Sequence, residues 1–305
     1  MESAQVISRL RYAFFPGCVS RGACRELSAA TALITDKLGI EFVELTEAAC
    51  TGAGVASGSD PHLAAAINAR TLAMAEKLGL DLVTQCSTCQ GVLCGINYKL
   101  RHDEEYRERI NRVIRPMGYQ YNGTVNVKHL LWVLAKDIGS DALRTVVKRP
   151  LRGMHIGGFY GCYILRPSES LGFDDPTHPT SLEKVIEAVG ATPVLYEGRN
   201  QCCGFPLQLI NPHASFLQSA KHLWSAQLAG AAAIVTPCPL CHLSLDARQH
   251  DARKASGLPV RMPIIHLSQL IGLALGCDPK SLWLHRHVVP TDDFLAAAGF
   301  EAEKR

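Results

Sequence analysis

Gln201-Cys202-Cys203-Gly204-Phe205-Pro206 is the stretch on which the reading of this chain turns. Neighbouring side chains on a strand point to opposite faces. Two adjacent thiols therefore meet one object only where the backbone turns sharply. Gly204 supplies permissive dihedrals for that turn, and Pro206 stops a helix or a ladder from running through it. Cys238-Pro239-Leu240-Cys241 follows Cys203 after 34 intervening residues. Cys162, in Tyr160-Gly161-Cys162-Tyr163, precedes Cys202 with 39 residues between them. Cys162, Cys202, Cys203, Cys238 and Cys241 thus form a set of five thiols.

The first half carries the same layout. Cys18 lies in Phe15-Pro16-Gly17-Cys18, and Cys50-Thr51-Gly52 stands where the double cysteine would be. Cys86-Ser87-Thr88-Cys89 follows Thr51 after 34 intervening residues, the gap found in the second half. Asp81-Leu82-Val83-Thr84 matches Ala233-Ile234-Val235-Thr236 before each CxxC, and Val127-Lys128-His129-Leu130 matches Ile264-Ile265-His266-Leu267 beyond it. One pair of repeats, each of roughly 150 residues, accounts for the chain. The expected division is a first domain over 1–150 with four cysteines and a second over 151–305 with five.

This pattern resembles the cysteine-rich CCG domain of the heterodisulfide reductase B subunit and its relatives, in both copies, from Cys18 to about His266. The resemblance implies that the complete set of five holds a non-cubane 4Fe–4S cluster, two fused iron–sulfur units bridged by a cysteine sulfur. It implies a redox subunit that handles thiol or disulfide sulfur, with Cys162, Cys202 and Cys203 nearest the chemistry. It also implies partners, a ferredoxin-like iron–sulfur subunit and a flavoprotein of the same complex. Thr51 departs from the pattern and resembles the sulfur-oxidising branch of the family, which acts on a lipoate-bearing sulfur carrier. Related CCG domains also occur in iron–sulfur subunits of succinate-, glycolate- and lactate-type dehydrogenases.

Read without the resemblance, the spacing says metal or cluster. Zinc accepts all-sulfur sets, usually as two close pairs, whereas Cys162 stands alone some forty residues upstream of its partners. In the first half, Thr51 leaves Cys18, Cys50, Cys86 and Cys89. A hydroxyl is a poor ligand for iron–sulfur chemistry, so a 4Fe–4S cubane or zinc is expected there. A zinc-stabilised scaffold without redox chemistry remains the alternative from another class. No G-x-G-x-x-G dinucleotide fingerprint occurs, so electrons must come from a partner.

Composition narrows the field. Apolar residues make up 47% and charged ones 19%, an ordinary globular balance. Thirty-one basic residues against 28 acidic ones leave +3, too little to argue for nucleic acid. No apolar run reaches a membrane span, and Met1-Glu2-Ser3-Ala4-Gln5 has no signal-peptide pattern. Disulfide scaffolds are typically small and secreted, and these cysteines fall in ligand spacing, so a reducing cytoplasm is expected.

Local patterns predict an α/β fold of two pseudo-symmetric repeats, each a small parallel sheet flanked by helices. Strands are expected at Leu10–Phe15, Glu41–Leu45 and Leu82–Thr84, then at His155–Tyr160, Pro193–Tyr196 and Ile234–Thr236. Helices are expected over Glu26–Leu38, Pro61–Leu78 with Asp60 as N-cap, Ser181–Val189 and from Pro212 to Ala229. The cysteines then fall at the carboxyl ends of strands, where open parallel sheets bind ligands. Asp137–Leu151 reads as a punctuated joint. The charged run 101–115 reads as a solvated helical face. The insert Arg166–Thr180 reads as a loop able to shape a mouth beside Cys162, with Arg166 or His178 facing an anionic carrier group. Cys24, Cys94 and Cys277 have no repeat partner and read as small core hydrophobes. His129 and His266 read as packing and hydrogen-bonding residues near a domain edge rather than ligands.

Overall fold

The computed structural model describes residues 10–54 and 56–300. Four strands of the first half, β1 (Arg11–Phe15), β2 (Glu41–Glu44), β3 (Leu82–Thr84) and β4 (Val127–His129), form a parallel sheet in the order β2-β1-β3-β4. Four of the second half, β5 (His155–Gly158), β6 (Thr192–Val194), β7 (Ala233–Thr236) and β8 (Ile264–His266), repeat it as β6-β5-β7-β8. Register repeats as well: Thr84 pairs with His129, and Thr236 pairs with His266. Every residue of β3, β7 and β8 is buried, as strands covered by helices on both faces must be.

The helices begin and end where their caps dictate. Asp60 accepts from the Leu63 N–H at 2.9 Å and Pro61 takes the first helical position of Pro61–Lys77. Asn211 and Pro212 repeat that arrangement at the head of Pro212–Leu228, with the Ala214 N–H 3.1 Å from Asn211 Oδ1. The charged run forms the helix Glu104–Ile114, whose pairs Arg109–Glu105 and Arg115–Glu108 lie on an exposed face.

Two features differ from the sequence expectation. Each sheet has a fourth strand, β4 or β8, three residues long and without the cysteine motif that follows β3 and β7 and marks where they end. The repeat match around His129 and His266 was its only signal. The joint at Asp137–Leu151 is helical for most of its length, through Val133–Gly139 and Ser140–Val146. These turns bury Val133, Leu134 and Leu143 and pack on the helix Ser181–Ala188 of the second half. In return, Leu267–Ala274 of the second half packs on Arg25–Lys37 of the first. The halves thus pack helix against helix, and the buried side chains form one continuous core.

His129 and His266 end the outermost strands of their sheets, yet both are fully buried. His129 Nδ1 accepts from the Leu131 N–H at 2.9 Å, capping the next helix, so its Nε2–H donates to the Pro237 carbonyl at 3.0 Å. Pro237 directly precedes Cys238, so a first-half side chain holds a second-half ligand loop. Burial pushes the His129 imidazole down to about 3 and His266 down to about 4, keeping both neutral. Replacing His129 by alanine removes a cap and orphans a buried carbonyl, a loss of about 2–4 kcal/mol. Thermal unfolding of His129→Ala is expected to show a melting temperature several degrees below that of the exposed-site control His250→Ala. Equal melting temperatures would refute this role.

Candidate metal centres

The strand order places the topological switch point of each sheet between its two central strands, β1 and β3 in the first half and β5 and β7 in the second, the usual binding crevice of open parallel sheets. Cys18 opens a short turn just past β1, and Cys86 is the N-cap residue of Ser87–His102 just past β3. Cys238 is likewise the N-cap residue of Pro239–Asp246 past β7. The last strand residue fixes each CxxC loop, since Thr84 Oγ1 accepts from the Cys86 N–H at 3.3 Å and Thr236 Oγ1 from the Cys238 N–H at 3.4 Å. The cysteines therefore converge by the same local rule in both halves.

In the first half, Cys18 Sγ and Cys50 Sγ lie 3.4 Å apart, and the Gly52 N–H points to Cys50 Sγ at 3.5 Å. Cys18 and Cys50 are exposed, while Cys86 and Cys89 are buried. Thr51 takes the place of a fifth sulfur, its hydroxyl 3.9 Å from Cys89 Sγ. These residues line a cavity of ≈ 300 Å³, closed from the second half by Phe205 and Leu240.

In the second half the thiols form an unbroken row: Cys162 beside Cys202, Cys202 beside Cys203, Cys203 beside Cys241, Cys241 beside Cys238. The row crosses the seam, for Cys238 also lies beside Cys86. Where sulfurs crowd, one carries the charge and its neighbours keep protons to donate to it. The Cys162 thiol holds Cys202 well below the usual thiol range, and Cys241 does the same for Cys238. Cys202 in turn pushes Cys162 and Cys203 up, and Cys203 and then Cys238 push Cys241 up.

Two glycines make the crowding possible. Gly17 and Gly161 each precede the first cysteine of their half at φ +83° and +72°. A Cβ on Gly17 would lie 3.2 Å from Cys89 Sγ, and one on Gly161 only 2.9 Å from Cys241 Sγ. With all-sulfur donors in the space so kept and backbone N–H groups aimed at sulfur, the residues fit an iron–sulfur group. In the second half Gly204 turns the double cysteine at φ +87° and aims its N–H at Cys202 Sγ, 3.4 Å away.

Residues that the sequence reading missed hold this turn. Gln218 Nε2 and His222 Nε2 reach the Cys202 carbonyl at 2.7 and 2.9 Å. Ser219 and Ser244 hydroxyls donate to the Cys203 carbonyl at 2.9 and 3.1 Å, and Ser215 to the Gly204 carbonyl at 2.8 Å. Ser215, Gln218, Ser219 and His222 follow helical i, i+3, i+4, i+7 spacing, so a polar stripe on Pro212–Leu228 was the available signal. In the first half this face contributes only Asn68, whose amide donates to the Thr51 carbonyl at 3.0 Å.

Other candidates fall away from the sets. Cys24 and Cys94 are buried and their thiols pushed up to about 12, chiefly by burial. Cys277 is buried as well. The insert Arg166–Thr180 leans on the first half, with Phe173 stacked on Trp132 at 4.6 Å and Tyr98 donating to Glu169 at 2.7 Å. The groove it closes there, ≈ 320 Å³, is lined by Cys94 and none of the nine set cysteines. Arg166 donates to the carbonyls of Asn200 and Pro176, both at 2.8 Å, and His178 Nδ1 lies 3.1 Å from Thr177 Oγ1, so both serve the insert itself. His242, Asp246 and His287 also gather in the second half. There Asp246 accepts the Val288 and Val289 N–H groups and His287 Nε2 faces the Gln269 amide nitrogen, tying the tail to the fold.

The model of the CCG cysteine-rich domain matches residues 12–94 and again 156–246. The chain belongs to the CCG cysteine-rich domain family. Its CCG relatives include the membrane anchor subunit of the 8-methylmenaquinol:fumarate reductase of Wolinella succinogenes, 39% identical over 91% of this chain and 96% of that one. The B subunit of the ferredoxin/F420H2-dependent CoB–CoM heterodisulfide reductase of Methanosarcina acetivorans is 31% identical over 94% and 96%. A protein of Archaeoglobus profundus described as like the heterodisulfide reductase B subunit is 32% identical over 90% and 93%. Among solved structures, a hypothetical protein from Helicobacter pylori superposes with a TM-score of 0.74 at 15% identity, over 92% of this chain and 52% of that one, which bears on the fold alone. The CCG relatives and the two cysteine sets make this an iron–sulfur redox subunit. Among the described residues no helix is long and apolar enough to cross a membrane.

The two glycines give a direct check on the sets. An alanine at either position adds a Cβ beside a ligand sulfur and strains a left-handed backbone by roughly 1–2 kcal/mol. Iron and acid-labile sulfide per chain are expected to fall in Gly161→Ala and, less, in Gly17→Ala. Gly153 also has a positive φ, +76°, but open space where its Cβ would stand, so Gly153→Ala is expected to keep its iron. Equal loss in all three would show that backbone strain, not the approach to sulfur, is responsible.

Proposed function

We propose that this chain works inside a multi-subunit reductase, with its second-half set holding a non-cubane 4Fe–4S cluster that handles thiol, disulfide or carrier-bound sulfur. The observation that carries the reading is the row Cys162, Cys202, Cys203, Cys241, Cys238, in which Cys203 is the extra sulfur set between two others. When bound, such a cluster supplies one-electron exchange and an iron that an incoming sulfur can reach.

The protein's own residues assign the sides of the site. Cys203 is buried with its carbonyl held by two hydroxyls, so it serves from within. Cys162 and Cys202 are partly exposed, so substrate sulfur arrives from their side. Cys18, Cys50, Cys86 and Cys89 hold a simpler centre, a 4Fe–4S cubane or zinc, because Thr51 brings a hydroxyl where the second half brings a thiolate. As a cubane it relays electrons, entering at exposed Cys18 and Cys50 and leaving where Cys86 meets Cys238. The expected partners are a ferredoxin-like subunit and a flavoprotein, with a lipoate-bearing carrier as the sulfur source, in the cytoplasm. The domains 1–150 and 151–305 then correspond to relay and reaction centre.

The 39% identity to a subunit of a methylmenaquinol:fumarate reductase favours a second reading, electron transfer in a quinol-linked dehydrogenase of the succinate type. Turnover of the assembled complex with a quinol but not with a thiol would select it.

Cys203→Ser is expected to abolish sulfur-dependent turnover of the complex while leaving the first-half centre and partner binding intact. Cys50→Ser is expected to remove the first-half centre. Full activity in Cys203→Ser, or wild-type protein purified anaerobically with zinc in place of iron, would overturn the assignment. Thr51→Cys supplies the missing thiolate and is expected to change the electron paramagnetic resonance spectrum of the first-half centre. An unchanged spectrum would mean that ligand count does not decide the type of centre there.

A further inference from the structure

The seam between the halves is asymmetric at one repeat-matched position. Thr88 of Cys86-Ser87-Thr88-Cys89 corresponds to Leu240 of Cys238-Pro239-Leu240-Cys241. Leu240 reaches over the seam to line the first-half cavity beside Cys18, Cys50, Cys86 and Cys89. Thr88 lines that cavity too, but its hydroxyl is turned across the seam and lies 3.4 Å from Cys238 Sγ. Both partners of that contact are buried, Thr88 at 8% exposed and Cys238 at 1%.

A metal-bound thiolate can only accept, so here the threonine hydroxyl donates. A hydrogen bond to a ligand sulfur favours the reduced, more negative state of a cluster and raises its reduction potential. Burial strengthens the effect, because little water competes for the sulfur. The N–H donors Gly52 on Cys50 and Gly204 on Cys202 occur at matched positions, at 3.5 and 3.4 Å, and cancel between the halves. Thr51 is the first half's own hydroxyl, but at 3.9 Å from Cys89 Sγ it stands at the limit of reach. The second set carries a fifth thiolate, whose negative charge by itself lowers the potential.

We infer that Thr88, a residue of the first half, raises the reduction potential of the second-half centre against the pull of its fifth thiolate. Leu240 withholds the matching hydrogen bond from the first-half centre. The pair biases electrons toward the half where the sulfur chemistry is placed. This rests on the reading above in the form that places a cubane in the first half, and it adds the residues that order the two centres.

The test is a redox titration of the anaerobically purified full chain, followed by electron paramagnetic resonance, with the second-half signal assigned by its change in Cys203→Ser. Thr88→Val is expected to shift the second-half midpoint to lower potential with iron content unchanged, while Thr88→Ser, which keeps the hydroxyl, stays near wild type. Leu240→Thr is expected to raise the first-half midpoint. A Thr88→Val protein with full iron and an unshifted second-half midpoint overturns the inference, as does a Thr88→Ser protein shifted as far as the valine variant. Should Thr88→Val fail to take up iron, an unmoved first-half midpoint in Leu240→Thr overturns it alone. Zinc in the wild-type second set would instead refute the proposed function, so the two failures are distinguishable.

Discussion

The crowding of sulfur at one end of two parallel sheets is the constraint on which this structure depends. Thiols are wide, and a row running from Cys162 through Cys238 to Cys86 forms only if nothing else occupies the space between them. Parallel strands solve the first part, since every crossover returns the chain to the same end and leaves its loop there. Glycine solves the second, because Gly17 and Gly161 pass beside a CxxC sulfur at distances no Cβ tolerates without something moving. The polar stripe on Pro212–Leu228 then fixes what the glycines permit, holding the carbonyls of Cys202, Cys203 and Gly204 by side chains.

A pair of loosely joined domains would not bring the two sets together. A helix of each half packs on a helix of the other, and His129 of the first half holds the carbonyl before Cys238 of the second. The ligand loops therefore meet across a dry seam, where Cys86 stands beside Cys238 and Thr88 reaches its sulfur. Contact between centres is built into the core itself, and a half taken alone would expose much of that core to water.

Duplication left the halves alike in backbone and unlike in chemistry. Thr51 faces Cys89 where Cys203 faces Cys241, and one amide, from Asn68, does the work of a four-residue stripe. The simpler set is also the more open one, with Cys18 and Cys50 exposed. Loss of a thiolate, of fixed carbonyls and of cover coincide in the half that faces outward.

The sequence by itself determined the two repeats, the nine cysteines, the parallel α/β plan and most strand and helix positions. These are local facts: turn residues, caps and spacings repeat wherever the backbone repeats, so Cys50-Thr51-Gly52 can be laid on Cys202-Cys203-Gly204 by counting. The three-residue strands β4 and β8 lack the cysteine motif that marks the equally short β3, and the joint at 137–151 reads as a linker because its apolar residues are needed only once another half is present to cover. Only the tertiary structure decided that helices of the two halves pack together, that the insert leans on Trp132 instead of standing free beside Cys162, and that His129 is buried against the Pro237 carbonyl. It alone decided that of Thr88 and Leu240, equivalent by count, one turns a hydroxyl to a sulfur of the other half and the other lines the first-half cavity. Such choices are set by contacts between residues some 150 positions apart, Thr88 with Cys238 among them, and no periodicity within one strand or helix encodes them.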